Sequence, residues 1–332
     1  MDIERVDPAE IDVATAEEAA AVTRAAMALE APDAIPPTAE SLLGQARHGF
    51  DDSPVDALWL VRSPDGSLVG HGSIEVSQWD NPQLAMVFCS VSPDARGSGV
   101  GTELLAAQAE SAHALGRSSL LTFTVRDGHA AGFLQANGFV VGQHTAQRRL
   151  HLQRVDYEHI AELAAQAAAC ATDYELVHLD GPAPEEMLPG LTTLFEAIND
   201  APLDDIAMEH DSFPVERVRR YDAAMRKRRQ HVYRLMARHR RTGDWAGHTI
   251  LCVDETRPGY AVQEDTSVVR AHRGHRLGRW LKASMLLWMH DERPELSVID
   301  TWNATSNAHM IAVNEALGCE VSQLGVAMQR TL

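Results

Sequence analysis

The chain repeats itself, and that repeat constrains its fold more than any other feature. Residues 91–101 read VSPDARGSGVG and residues 268–278 read VVRAHRGHRLG. Further on, RDGHAAGFLQANGF at 126–139 is matched by SNAHMIAVNEALGC at 306–319. Both pairs keep their order and almost the same spacing, which a chance echo does not do. The sequence therefore predicts one domain type present twice. Its 332 residues suit two domains of about 150 residues each.

The elements around each repeat match as well. In the first half, Ala57–Val61 and Leu68–Val76 read as strands joined at a Pro-Asp-Gly turn, and Leu84–Val91 as a third strand. A helix follows from Gly99 to about Leu115, then a strand over Ser119–Val125 and a short helix over Ala130–Asn137 ended by Gly138. In the second half, His231–His239 and Ala246–Asp254 form the corresponding hairpin and Tyr260–Val269 the next strand. The helix from Leu277 to about His290 carries an apolar stripe, and Pro294 bars it from continuing. Ser297–Trp302 is a strand and Ser306–Leu317 a helix. Between the halves, Asp156–Ala171 is alanine-rich and reads as a linking helix, and Tyr174–Leu179 as the strand that opens the second half. The boundary falls near residue 155, giving an N-terminal domain over 1–155 and a C-terminal domain over 156–332. Each half has early helices, an antiparallel run of strands and a strand–helix–strand crossover. The expected fold class is α+β, a mixed, mostly antiparallel sheet with flanking helices, built twice.

Composition narrows the partners. Hydrophobic residues make up 45% and charged residues 23%, an ordinary globular balance. No apolar run reaches the ~20 residues needed to span a bilayer. The opening MDIERVDPAE has neither the cationic end nor the apolar core of a secretory signal. Four cysteines, Cys89, Cys170, Cys252 and Cys319, lack C-x-x-C spacing, so neither zinc nor a redox dithiol is suggested, and a reducing cytoplasm is the expected location. The net charge of −18 disfavours nucleic acid and anionic membranes as partners. It is compatible with a cationic acceptor such as an amine, and equally with plain solubility. No Ser-His-Asp or metal-ligand constellation stands out. His129 and His309 hold matching positions, which favours a structural role.

The chemistry sits in the repeated glycine loops. In Arg96-Gly97-Ser98-Gly99-Val100-Gly101, glycines let a strand turn sharply into a helix and let backbone N–H groups approach an anion. The helix N-terminus adds a favourable dipole. Physically this is a pyrophosphate site. It is too short for G-x-x-x-x-G-K-[ST], and it lacks the acidic ribose partner of G-x-G-x-x-G folds. The second loop is Arg273-Gly274-His275-Arg276-Leu277-Gly278. Arg276 stands where Gly99 stands in the first loop. Its guanidinium suits either a phosphate or solvent, and the backbone cradle survives because Gly274 and Gly278 remain.

Arg-x-x-Gly-x-Gly after a Val-x-Pro strand end resembles the coenzyme A loop of the GNAT superfamily of N-acetyltransferases. Residues 127–139 resemble the block that follows it in that family, N-x-x-A-x-x-F-Y-x-x-x-G-F. The resemblance covers about 85–142 and 260–320, and the W-N-A-T-S-N form at 302–307 resembles bacterial tandem members. It implies acetyl-CoA as co-substrate, no metal, a small-molecule amine acceptor, and a monomer or homodimer. The loop residues it implies are Val91 with Arg96, Gly97, Ser98, Gly99, Val100 and Gly101, and Val268 with Arg273, Gly274, His275, Arg276, Leu277 and Gly278. Asn303 and Asn307 are implied to bond the cofactor's amides, and Asn307 is equally placed to cap the helix it begins.

The sequence departs from that pattern at the catalytic positions. The tyrosine that resembles a general acid in the family is Leu134 in one half and Asn314 in the other; leucine can neither donate nor hydrogen-bond, and asparagine is not a useful acid. The first half's strand 84–91 holds no acid. The second half's strand holds Glu264 and Asp265, expected by alternation to point to opposite faces. Glu264, Asp265 and Asn314 are the candidate catalytic residues, and Asp200, Asp204, Asp205, Glu209 and Asp211 form an acidic loop expected to wall the acceptor site. The expected activity is transfer of an acetyl group to a primary amine by direct attack in a ternary complex. It is placed in the C-terminal domain, the N-terminal one being degenerate and CoA-binding or structural. A non-catalytic acyl-CoA-binding or regulatory protein is the alternative, and a nucleotide-binding module a distant third.

Overall fold

The computed structural model describes residues 2–332, and contacts divide the chain into two units. Unit 1 holds the chain up to Thr145, then Leu203–His210 and Ser322–Leu332; unit 2 holds Ala146–Pro202 and Asp211–Val321. The units thus interleave along the sequence, whereas the repeat restarts near residue 155.

In unit 1, β1 (Asp2–Val6) leads into α1 (Val13–Glu30) and α2 (Ala39–His48). Asp12 caps α1 by accepting from the Thr15 N–H, and Thr38 and Ser41 cap α2 reciprocally. Then come β2 (Ala57–Arg62), β3 (Leu68–Glu75), β4 (Leu84–Val91), α3 (Val100–Ala114), β5 (Ser119–Val125), α4 (His129–Ala136) and β6 (Val140–His151). Strict alternation sorts the sheet's two faces. Trp59, Val61, Ile74, Ala85, Val87 and Leu120 face α3 and α4, which bring Leu104, Leu105 and Leu134. Leu58 and Leu60 face α1 and α2 instead.

Unit 2 begins with α5 (Tyr157–Ala169) and β7 (Tyr174–Asp180). Next are α6 (Leu188–Glu196), α7 (Val215–Lys227), β8 (Gln230–His239), β9 (Trp245–Asp254), β10 (Tyr260–Val268), α8 (Leu277–Glu292), β11 (Val298–Ala304), α9 (Ala308–Ala316) and β12 (Glu320–Thr331). The alanine-rich segment expected to be a linker is a core element. Ile160, Leu163 and Ala164 of α5 bury against the same cluster as Leu277, Leu281 and Met285 of α8, because their apolar spacing gives α5 one continuous face.

Each sheet is antiparallel except at one crossover, where β4 pairs β5 and β10 pairs β11 in parallel. The strand order is β1-β2-β3-β4-β5-β12 in unit 1 and β7-β8-β9-β10-β11-β6 in unit 2. The sixth strand of unit 1 therefore comes from the end of the second repeat. The sixth strand of unit 2 is the second half of β6, from the end of the first repeat. Inside unit 2, Arg149 of β6 makes a two-pronged bond to Asp300 of β11, with Nε–Oδ1 2.8 Å and Nη2–Oδ2 2.7 Å, and Gln147 donates to the same carboxylate. Among the described residues, no helix is long and apolar enough to cross a membrane.

Candidate functional site

Both crossovers open in the same way. β4 and β5 pair only at Leu84–Ser119, Ala85–Leu120 and Met86–Leu121 before they part. β10 and β11 pair only at Tyr260–Val298, Ala261–Ile299 and Val262–Asp300. Each unit therefore has a gap between two splayed strands, and the glycine loop stands beside it. Large apolar side chains lie exposed on the splayed parts: Phe88 (41%) and Phe123 (48%) in unit 1, and Trp302 (50%) in unit 2. Motif reading had not singled out the two phenylalanines, because apolar residues on strands read as core.

The loops begin their helices alike. Gly97 and Gly99 have φ of 76° and 97°, Gly274 has φ of 88°, and a side chain built on any of these glycines would meet open space. Arg276 adopts the same left-handed conformation as Gly99, with φ 58° and ψ 21°, and each residue is the N-cap of its helix. The cradle thus keeps its shape without the glycine. Arg96 and Arg273, at matching positions, are each tied back to a carboxylate near the end of an early helix: Arg96 to Glu30 and Arg273 to Asp200, both at 2.6 Å. The first amides of α3 and α8 have no acceptor within their helices, so the loops offer backbone donors and a helix dipole to an anion. Ser98 bonds the Ala95 carbonyl through its hydroxyl, and the Arg273 Nε donates to the carbonyl of Val268. His275 packs against Tyr174, with ring centroids 5.3 Å apart.

Each unit thus brings together free backbone donors and a helix dipole at the helix start, a gap between splayed strands, and exposed aromatic side chains on those strands.

The strand before the loop separates the units. In unit 1, β3 and β4 run in unbroken register from Gly70–Val91 to Glu75–Met86. In unit 2, Leu251 pairs Gln263 and Thr249 pairs Thr266, so two residues, Glu264 and Asp265, stand opposite the single residue Ile250. This is a β-bulge, and the strict alternation expected for the two carboxylates fails there. The Tyr221 hydroxyl of α7 donates to Glu264 Oε2 at 2.7 Å. Burial pushes the Asp265 carboxyl up to about 7, and the nearby charges of Glu264 and Asp211 push the same way. Next to this cluster, His248 is fully buried with neither ring nitrogen bonded, and burial holds it neutral, down at about 3.

Asn314 is fully buried on α9. Its Oδ1 accepts from Lys282 Nζ at 2.7 Å, and its Nδ2 donates to Asn303 Oδ1 at 3.3 Å. Asn303 also bonds the Ala304 carbonyl, and Asn307 caps α9 by accepting from the Met310 N–H at 3.1 Å. Lys282 was missed at the sequence level. Its signal was a lysine inside the apolar face of α8, at a position where unit 1 has Leu105.

The acidic loop divides between the two units. Asp200 is bonded by Arg270 and Arg273, and those bonds hold its carboxyl below the usual range. Asp204, Asp205 and Glu209 lie in the segment that belongs to unit 1. There Ile206 packs on Leu84, Leu121 and Ala327, Ala207 N–H donates to Gln329, and Glu209 N–H donates to Asn81 at 2.7 Å. Backbone hydrogen bonds and one apolar plug outweigh charge in placing this segment. Asp211 alone stays near Asp265.

Known proteins agree with this geometry. Residues 25–139 match the model of the acetyltransferase (GNAT) family. No curated protein matches the chain. Among solved structures, a tandem GNAT protein from the clavulanic acid biosynthesis pathway is similar over 99% of this chain and 98% of its own, at 27% identity and a TM-score of 0.80. A GCN5-related N-acetyltransferase from Sphaerobacter thermophilus is similar over 99% and 95%, at 15% identity and a TM-score of 0.69, a likeness of fold.

Proposed function

We propose that the chain is a tandem GNAT-type acyltransferase in which unit 2 acetylates a primary amine of a small, cationic acceptor and unit 1 binds coenzyme A or serves as scaffold; the family match over residues 25–139 and the likeness to a tandem GNAT protein support this. The bulge at Glu264–Asp265 carries this reading. Acetyl-CoA supplies the acyl group as a thioester. An attacking amine must shed a proton, and a base works best when its pKa lies near the operating pH. Asp265, at about 7, meets that condition. Glu264 is held by Tyr221 and raises Asp265 through its charge. In the reaction the amine nitrogen bonds the acyl carbon, the carbon–sulfur bond breaks, the sulfur leaves as thiolate, and Asp265 takes the amine proton. Three carboxylates, Asp211, Glu264 and Asp265, favour a cationic acceptor. Unit 1 offers no ionisable oxygen on β4 between Leu84 and Cys89, and the 203–210 segment lies across its sheet at Leu84 and Leu121.

The test is an initial-rate study over a panel of amines, following thiol release. Direct attack predicts lines that intersect when acetyl-CoA and amine are varied together. Parallel lines would mean an acyl-enzyme and would contradict this mechanism.

A further inference from the structure

Lys282 is 4% exposed, and its ammonium has one neutral partner, Asn314. A buried cation with so little compensation is costly, and unit 1 avoids it: Leu105, Leu134 and Phe139 hold the positions of Lys282, Asn314 and Cys319. The cation also decides which way Asn314 faces. An ammonium only donates, so the amide oxygen must turn to Lys282 and the N–H end must turn away. That end meets Asn303, which lies on β11 beyond its last pairing with β10, on the splayed part that borders the gap. The donor end of Asn314 therefore faces the strand that borders the gap.

We propose that Lys282 is the positioning residue of the thioester end of unit 2: it turns the Asn314 N–H toward the gap, and its fixed charge stabilises the sulfur of coenzyme A as a thiolate. This rests on unit 2 being the acetylating half. When the carbon–sulfur bond breaks, the electron pair stays on sulfur, and the buried cation offsets that charge without giving up a proton. Burial brings the Lys282 ammonium down to about 8, so it remains mostly charged at neutral pH. Cys319 is the titratable group facing it. Its thiol is pushed up by burial, while Lys282 and Arg148 pull it the other way, and Arg148 in turn pairs with Glu315 at 3.5 Å.

The experiment titrates the thiol of bound coenzyme A by the ultraviolet absorbance of its thiolate. The full chain carries Gly99→Trp so that only unit 2 is loaded, with desulfo-coenzyme A as the blank and calorimetry to verify occupancy. The bound thiol is expected to titrate roughly one to two pH units below the free thiol, the range an adjacent opposite charge gives. Lys282→Met should abolish that shift, and Lys282→Arg should restore most of it. Asn314→Asp keeps the bond to Lys282 but cancels its charge, so it should also abolish the shift, which covers the case of a Lys282→Met chain that does not fold. Saturable binding with the same titration in parent, Lys282→Met and Asn314→Asp would overturn the proposal and leave the reading of unit 2 standing. No binding of coenzyme A by the Gly99→Trp chain would overturn both.

Discussion

Unit 1 and unit 2 share a scaffold and fill it with opposite chemistry. Where β4 has Phe88 between Val87 and Cys89, β10 has Glu264 and Asp265 between Gln263 and Thr266. Where Leu105, Leu134 and Phe139 make apolar core, Lys282, Asn314 and Cys319 make a buried polar nest. Where unit 1 has Leu121 and Gln329, unit 2 has Asp300 and Arg149. Apolar filling is the stabilising choice, and buried polar groups cost free energy unless they are paired. Their concentration in one unit is the main difference between the two copies of the scaffold, and a single extra residue in β10 accompanies it.

The comparison breaks most violently at Asp300. Asp300→Leu installs the residue of unit 1 and removes the carboxylate that Arg149 holds with two bonds. Removing one half of a buried pair costs about 3–5 kcal/mol. Thermal unfolding should show that loss as a melting temperature well below the parent's. An unchanged melting temperature would mean that unit 2 tolerates the filling of unit 1.

A smaller and pH-dependent effect is expected at Asp265. Its carboxyl is raised from 3.8 to about 7 in the folded chain, so the fold favours the protonated form. The stability this form contributes is complete below the unfolded value and is lost as pH rises through about 7. Asp265→Asn should therefore raise the melting temperature at pH 8 and leave it nearly unchanged at pH 4. An equal effect at both would remove the carboxyl from the list of perturbed groups.

The smallest effect concerns the helix start. Arg276 holds a left-handed conformation that Gly99 holds freely, at a cost of about 1–2 kcal/mol for a residue with a side chain. Arg276→Gly should stabilise by up to about 1 kcal/mol, or about 2–4 °C in a chain half of this size. A calorimetric loss of coenzyme A affinity in the same variant would show that the guanidinium reaches a phosphate.

Much of this was legible in the sequence. The glycine loops, the strand-to-helix turns and the repeat of elements follow from glycine spacing and apolar period, which are local properties. The exchange of final strands was not, since two strands of similar pattern serve either sheet equally well. The bulge was hidden because equal spacing between repeats treats β4 and β10 as the same length. Lys282 looked like one polar interruption in a helix, and only its partner Asn314, on another helix, reveals why it is buried. The placing of the acidic loop was not legible, because its backbone bonds to Asn81 and Gln329, and not its charges, hold it.

The division between the units is the central claim, and two variants test it most directly. With the amine selected by the panel, turnover is measured for Asp265→Asn and for Gly99→Trp in the full chain. Asp265→Asn is expected to lower kcat by about 10²–10⁴-fold, the usual contribution of a general base, with the KM for acetyl-CoA little changed. Gly99→Trp is expected to keep turnover while calorimetry shows coenzyme A still bound by unit 2. Turnover abolished by Gly99→Trp and preserved in Asp265→Asn would place the chemistry in unit 1 and contradict the account.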